Sequence, residues 1–313
     1  MYKVKRVHTK FTIMKYFISQ LFKDPAYVSY AIKKKLFLPV NYSLNSSSSI
    51  SDGNHYYLEA VIKATNNRKA FRSFKRNVAY NEILEHATHQ EALLSLEIIK
   101  EQTPQLLGKI NEFRINDSVG GARCIELEDL GMISPSTMRY IKVASDIMSI
   151  FPNGIGDNIV EIGTGYGGQY LILDRAINFL NYTLMDLHEV LELNVKYLEN
   201  FILNSSYKCS TLNQLSFKNN FDMVISNFAF SELPRSLQIK YIDKVLSKSK
   251  RGYLVMNSGN DDSVFTKGTG RWDDDNQPLL IQELEEMLPK FRQIKESPLT
   301  FPGNYVIVWG DDR

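Results

Sequence analysis

Cysteine is scarce: the 313-residue chain has two, Cys124 and Cys209. Two thiols cannot build a disulfide framework, so a stapled secreted scaffold is excluded and the pair reads as reduced thiols of a cytosolic protein. No apolar run reaches the ~18 residues that a membrane-spanning helix needs, and no internal repeat is present. Net charge is nearly absent as well. Thirty-seven Lys plus Arg against 35 Asp plus Glu leave +2, which excludes a general polyanion binder. What is plentiful is hydrophobic surface, 43% of residues against 23% charged, which excludes disorder and suits one large domain or one domain with a helical extension.

The even charge hides a split. Residues 1–35 hold nine bases (Lys3, Lys5, Arg6, Lys10, Lys15, Lys23, Lys33, Lys34, Lys35) and one acid, Asp24, a net +8, so the other 278 residues carry −6 of the total of +2. Phe11, Met14, Phe17, Ile18, Leu21 and Phe22 recur there at helical spacing. Such a helix either rests on an anionic membrane face, each base contributing about 1 kcal/mol, or docks its stripe on the protein body, the commoner fate of an apolar stripe. Lys15 interrupts the apolar run and no small-residue cleavage site follows, so no secretory signal is expected. The expected location is cytoplasmic, with peripheral contact at the inner membrane face as the use residues 1–35 would serve.

The segment Asn45 to Ser49, reaching Asp52 and Gly53, reads as a flexible linker. From 56 to 107 the periodicity is helical, with Ile83, Leu84, Leu93, Leu94, Leu96 and Ile98 as core candidates. His86 and His89 have no third ligand at a recognisable spacing, so a solvated or core pair is expected rather than a metal site. After about residue 155 short apolar runs alternate with helical stretches, the pattern of a parallel α/β sheet. Strands are expected at 159–162, 182–185, 207–212, 221–226 and 252–256, and helices at 167–180, 190–201, 234–248 and 279–288. The runs 291–297 and 304–309 flank a link too short for a crossover and must pair antiparallel. The predicted organisation is a basic amphipathic segment (1–40), a helical N-terminal region (41–150) and a Rossmann-like α/β domain (151–313).

The loop after the first strand reads EIGTGYGGQ from Glu161 to Gln169. Glycines are needed where a backbone turns sharply under a closely approaching ligand. Gly163, Gly165 and Gly168 also fit the dinucleotide spacing, so the glycines alone do not choose between a nicotinamide dinucleotide and S-adenosylmethionine. Glu161 does: a carboxylate at that mouth suits an ammonium and repels a pyrophosphate. Asp186, after the second strand, can accept ribose hydroxyls, and Asn227-Phe228 stand at the mouth of the fourth.

These residues are familiar. The stretch IVEIGTGYGGQ (159–169) resembles the first motif of class I S-adenosylmethionine-dependent methyltransferases. FDMVISNFAFSEL (221–233), NDSVGG (116–121) and ISPSTMRYI (133–141) are more particular and resemble the sugar O-methyltransferase family of bacterial surface-polysaccharide clusters. The likeness spans about residues 70–310, and His188 departs from it, standing where a proline is expected after Asp186-Leu187. It implies a class I sheet with a C-terminal antiparallel hairpin, S-adenosylmethionine as cofactor, and a sugar or glycan acceptor. The expected cofactor contacts are Glu161, Gly163, Thr164, Gly165, Gly167, Gln169, Asp186, Leu187, Asn227, Phe228, Arg139 and Tyr140. Asn116, Asp117, Arg271 and Trp272 are expected at the acceptor. Ser134-Pro135 reads as a helix N-cap followed by proline in the first turn, carrying Ile141, Ala144 and Met148 toward the sheet.

Methyl transfer to a sugar hydroxyl needs in-line alignment and a group that takes the hydroxyl proton. Glu232 is the first candidate base, His188 the second and Asp117 the third. Asp261, Asp262 and Asp273 to Asp275 resemble solvated loop charge more than a Mg²⁺ site, and no metal is expected. The rival enzyme, a nicotinamide-dependent oxidoreductase or epimerase on a nucleotide sugar, lacks a Tyr-x-x-x-Lys pair after the fourth strand. A catalytically silent binding subunit is the third reading. Nucleic acid is disfavoured by the −6 outside the basic segment.

Overall fold

The computed structural model describes residues 55–216, 220–260 and 277–311. The basic segment, Arg271, Trp272 and the loop aspartates from Asp261 to Asp275 lie outside the described residues.

Seven strands form one sheet: β3 (Asn158–Ile162), β4 (Asn181–Met185), β5 (Ser206–Ser210), β6 (Phe221–Asn227), β7 (Ser249–Met256), β8 (Arg292–Lys295) and β9 (Tyr305–Trp309). A separate hairpin pairs β1 (Ile125–Leu127) with β2 (Gly131–Ile133). The sheet order is β5-β4-β3-β6-β7-β9-β8. Strands β3 to β7 run parallel, while β9 is antiparallel to both β7 and β8. This is the Rossmann-like sheet with a C-terminal antiparallel hairpin that the sequence predicts. The chain leaves central β3 to one side for β4 and β5 and returns on its other side as β6. The ends of β3 and β6 therefore form the switch-point crevice where open α/β sheets take ligands.

Period-2 geometry divides the central strands between two buried faces. Ile159 joins the cluster beneath the N-terminal helices, whereas Val160 and Ile162 join the cluster under the C-terminal ones. The first cluster runs from Tyr57 to Val308, so the helical region and the sheet share a core. In chain order, the helices on that face are α1 (His55–Asn66), α2 (Val78–Ile83), α3 (His89–Gln102), α4 (Pro135–Ile150), α5 (Gly168–Ala176) and α6 (His188–Leu198). On the other face lie α7 (Arg235–Lys244) and α8 (Ile281–Met287).

Helix α4 starts as expected: the Ser134 hydroxyl accepts from Thr137 N, and Pro135 occupies the first turn. Ile141 and Ala144 are fully buried and Met148 half-buried. Helix α3 corrects an expectation. It buries Ala92, Ser95, Leu96 and Ile99, an i, i+3, i+4, i+7 stripe, which leaves Leu93 and Leu94 each 44% exposed. Hydrophobicity put them in the core; helical phase puts them outside. The His86/His89 pair is split by a helix boundary, because Thr88 caps α3 in a capping box with Glu91 and both histidines face solvent. Helix α5 ends at Ala176 rather than near 180, and Leu180 is exposed.

Candidate active site

The loop between β3 and α5 is held from below. The Asp186 carboxylate, just past β4, accepts from Thr164 N (2.7 Å) and Gly165 N (3.2 Å) through one oxygen and from Leu187 N (2.8 Å) through the other. Asn194 of α6 accepts from the Thr164 hydroxyl (2.8 Å) and donates to Gly165 O (2.6 Å). Asp186 thus organises the loop as well as standing at the predicted ribose position. Asn194, two turns into a helix, carried no signal in the sequence.

Two glycines have no room for a side chain. A Cβ at Gly163 (φ 77°) would lie 2.0 Å from the Ala229 Cβ, and one at Gly165 (φ 55°) would lie 2.9 Å from Leu84 Cδ1. Beneath the loop Glu161 is 2% exposed and accepts a hydrogen bond of 2.9 Å from the Tyr182 hydroxyl. Burial pushes its carboxyl up to about 8, against the pull of that hydrogen bond and with help from the nearby Asp186 charge.

At the mouth of β6, Asn227 donates to Gln169 Oε1 at 3.4 Å, and its own Oδ1 is buried with no partner among the described residues. Phe228 follows in the left-handed region (φ 68°), a conformation costing a non-glycine residue about 1–3 kcal/mol. Gln169 in turn donates to Tyr140 O at 3.2 Å. The Tyr140 ring lies 6.1 Å from the Tyr166 ring of the loop, and burial raises its hydroxyl to about 12. Glu232 stands in the turn after β6, where its Oε1 accepts from Asn257 Nδ2 at 2.8 Å. Asn257 follows β7, and its Oδ1 accepts from the Ser231 hydroxyl at 2.6 Å. The ends of β3, β4, β6 and β7 therefore bring Glu161, the glycine loop, Asp186, Asn227, Phe228 and Glu232 to one edge.

Other predicted residues are engaged by the protein itself or face solvent. Asn116 is fully buried: it donates to Thr137 Oγ1 (2.7 Å) and to Tyr166 Oη (3.1 Å), and it accepts from the Tyr197 hydroxyl (2.7 Å). Asp117 accepts from Ser134 N (2.8 Å), the Ser134 hydroxyl (2.6 Å) and the Thr137 hydroxyl (2.7 Å). The pair thus fastens α4 to the loop instead of forming an open polar rim, and the Asp117 carboxylate is spent on capping. His188 opens α6 on an exposed face with Glu192 3.6 Å away. Arg139 donates to Leu84 O at 2.8 Å.

Sequence reasoning also missed Lys75. Its ammonium is buried, donates to Asn116 O at 2.5 Å, and lies 4.2 Å from the Tyr166 ring centre and 5.1 Å from that of Tyr197. Burial draws its pKa down, with Glu85 and Asp117 pulling the other way. A lysine four residues after Phe71 in a basic stretch looks solvated; only the fold encloses it. Among the described residues no group of three or more His, Cys, Asp or Glu side chains could hold a metal ion, and no helix is long and apolar enough to cross a membrane.

No family model and no curated protein matches the chain. Among solved structures it is similar to an S-adenosylmethionine-dependent methyltransferase from Clostridium acetobutylicum ATCC 824, at 14% identity over 49% of this chain and 83% of that one, with a TM-score of 0.37. It is also similar to the N-methyltransferase NodS from Bradyrhizobium japonicum WM9, at 14% identity over 54% and 92%, TM-score 0.40. A third is the N-terminal domain of EvdMO1 with SAH bound, at 16% identity over 67% and 97%, TM-score 0.40. Likeness at this level adds no weight to the strand order, on which the fold assignment rests.

Proposed function

We propose that the protein is an S-adenosylmethionine-dependent O-methyltransferase that acts on a sugar hydroxyl, in a surface glycan or its precursor. The observation that supports cofactor binding most is the loop at the switch point. Two glycines there leave no space for a Cβ, a carboxylate lies buried beneath, and Asn227 Oδ1 is buried without a partner among the described residues. An amino-acid ammonium supplies donors for Glu161 and for Asn227, whereas a pyrophosphate, which only accepts, gains nothing from Asn227 Oδ1. That asymmetry disfavours the nicotinamide reading.

When bound, S-adenosylmethionine supplies an electrophilic methyl group on a sulfonium. The residues of this chain would do the rest. Glu161 and Asn227 hold the amino-acid end, with Gly163, Thr164, Gly165, Gly167 and Gln169 forming the floor. Asp186 and Leu187 border the ribose, and Phe228, Tyr140 and Arg139 wall the site. Glu232 is the group that takes the proton from the acceptor hydroxyl: it stands beside Asn257 at the ends of β6 and β7, whereas the His188 side chain is exposed and Asp117 is engaged at the start of α4. The sugar specificity rests on the resemblance of the 221–233, 116–121 and 133–141 stretches.

Calorimetry with S-adenosylhomocysteine and fluorescence titration with NADH separate the two cofactor readings. The expected result is binding of the first and none of the second; the reverse overturns the proposal. Transfer of labelled methyl from S-adenosylmethionine into glycan extracts, against protein and RNA fractions, tests the acceptor class. Absence of label in every fraction supports the silent binding subunit instead.

A further inference from the structure

Between α2 and α3 the chain crosses the glycine loop. Leu84 packs over Gly165, its Cδ atoms 2.9 and 3.0 Å from the point a Cβ would occupy. Its carbonyl is gripped by Arg139 at 2.8 Å. A ligand approaching the loop closely, which is what glycine there permits, meets Leu84 first. Next to it are two polar atoms that the described residues leave unused: the hydroxyl of fully buried Tyr80 and Oε1 of Glu85, both sealed from solvent with no hydrogen-bond partner among the described residues. Tyr80 sits beside the loop, its ring 6.4 Å from that of Tyr166. The Glu85 carboxylate is bonded by Ser136 and faces the charges of Lys75, Arg139 and Asp117.

An orphaned buried polar atom costs a protein the full desolvation of that group, so two of them beside one loop call for a partner that the described residues do not supply. The Asp186 carboxylate is already taken up by three backbone amides and the Thr164 hydroxyl.

We propose that Leu84 is a plug seated on the glycine loop, and that Tyr80 and Glu85 are ligand-binding residues whose unused atoms meet hydrogen-bond donors or acceptors on the ribose and amino-acid tail of an adenosyl amino acid once Leu84 withdraws. This rests on the cofactor reading above and extends it to the helical region, which then contributes part of the cofactor wall. Arg139 is the latch: as Leu84 moves, its guanidinium exchanges a carbonyl for whatever anionic group arrives. Burial holds the Glu85 carboxyl above the usual carboxylate range, as expected of an acid kept from water until a ligand reaches it.

The three side chains give effects of opposite sign. Tyr80→Phe and Glu85→Met keep bulk while deleting the unused atoms, and each is expected to weaken S-adenosylhomocysteine binding in calorimetry about 3- to 10-fold, one hydrogen bond apiece. In the free protein Tyr80→Phe leaves the melting temperature unchanged or raised, since nothing satisfied is lost, which a merely structural hydroxyl would not do. Leu84→Ala removes the plug and is expected to tighten binding by a similar factor, because more of the free protein is ready to bind. If the wild type binds S-adenosylhomocysteine while Tyr80→Phe and Glu85→Met bind it within 2-fold of wild type, the assignment of those residues is overturned. If Leu84→Ala binds more weakly, the plug is overturned. If the wild type binds none, the cofactor reading falls first and takes this proposal with it.

Discussion

Glu161 offers the sharpest test of the site, because its burial has a stability cost with a definite pH signature. Unfolded, its carboxyl ionises at the ordinary value of 4.5; folded and buried, it ionises at about 8. Between those values the native chain holds a proton that the unfolded chain has lost, so stability falls as pH rises, by about 1.4 kcal/mol per pH unit. Below 4.5 both states are protonated and above 8 both are ionised, so the cost is absent at the acid end and complete at the alkaline end. Across the window it amounts to roughly 5 kcal/mol as an upper bound.

Glu161→Gln keeps the shape, keeps an acceptor for the Tyr182 hydroxyl and removes the charge. Urea unfolding at pH 5, 6, 7 and 8 is expected to show the variant gaining on wild type with each step. The same substitution is expected to weaken S-adenosylhomocysteine binding about 10-fold or more, the loss of a charge-assisted hydrogen bond. In wild type near pH 7, binding an ammonium against Glu161 must expel its proton, so calorimetric enthalpies are expected to vary with buffer ionisation enthalpy, and in Glu161→Gln that component disappears. Parallel unfolding curves for the two proteins at all four pH values would refute the buried-acid account. A variant that binds S-adenosylhomocysteine as wild type does would refute its role at the ligand.

Three further outcomes follow from the same geometry. Gly163→Ala forces a Cβ to within 2.0 Å of the Ala229 Cβ at a positive φ, and is expected to cost about 1–3 kcal/mol in urea unfolding and to reduce S-adenosylhomocysteine affinity. Asp117→Ala strips the acceptor from Ser134 N and two hydroxyls; a loss of about 1–3 kcal/mol in the same assay is expected, and an unchanged midpoint would show the cap to be dispensable. Glu232→Gln is expected to lower labelled methyl transfer into responsive extracts about 10²- to 10⁴-fold while S-adenosylhomocysteine affinity stays within 2-fold, and undiminished transfer would remove it as the base.

The parts of this molecule that could be read from the sequence are those fixed by local pattern. Alternation of apolar runs with helical stretches placed the sheet strands, and the short link at 298–303 forced β8 and β9 to run antiparallel, because no crossover fits in so few residues. Ser134-Pro135 announced the start of α4 through cap chemistry alone. The glycine loop was legible because only glycine tolerates both its positive φ and the atoms pressed against it. What failed was everything decided by how separate elements meet. Leu93 and Leu94 differ from Leu96 only in helical phase, and the phase is set by where α3 lands on α4. Asn116 and Asp117 have the composition of an open turn, yet Lys75, Tyr166, Thr137 and Tyr197 close around them from distant parts of the chain.

That enclosure has a consequence for the site. Lys75, Asn116, Thr137, Tyr166 and Tyr197 form one buried polar knot, with Tyr166 the member that belongs to the glycine loop. Each donor in it lost water on folding and regained a protein partner, so removing one member strands another at a cost of about 1–3 kcal/mol. The loop is thereby held through Tyr166 as well as through Asp186 and Asn194. A rigid floor beneath an apolar plug at Leu84 gives the arrangement an inner wall that stays and an outer wall free to respond. The helical region therefore does more than cover the sheet: it fixes one side of the crevice through Asn116 and occupies the other through Leu84.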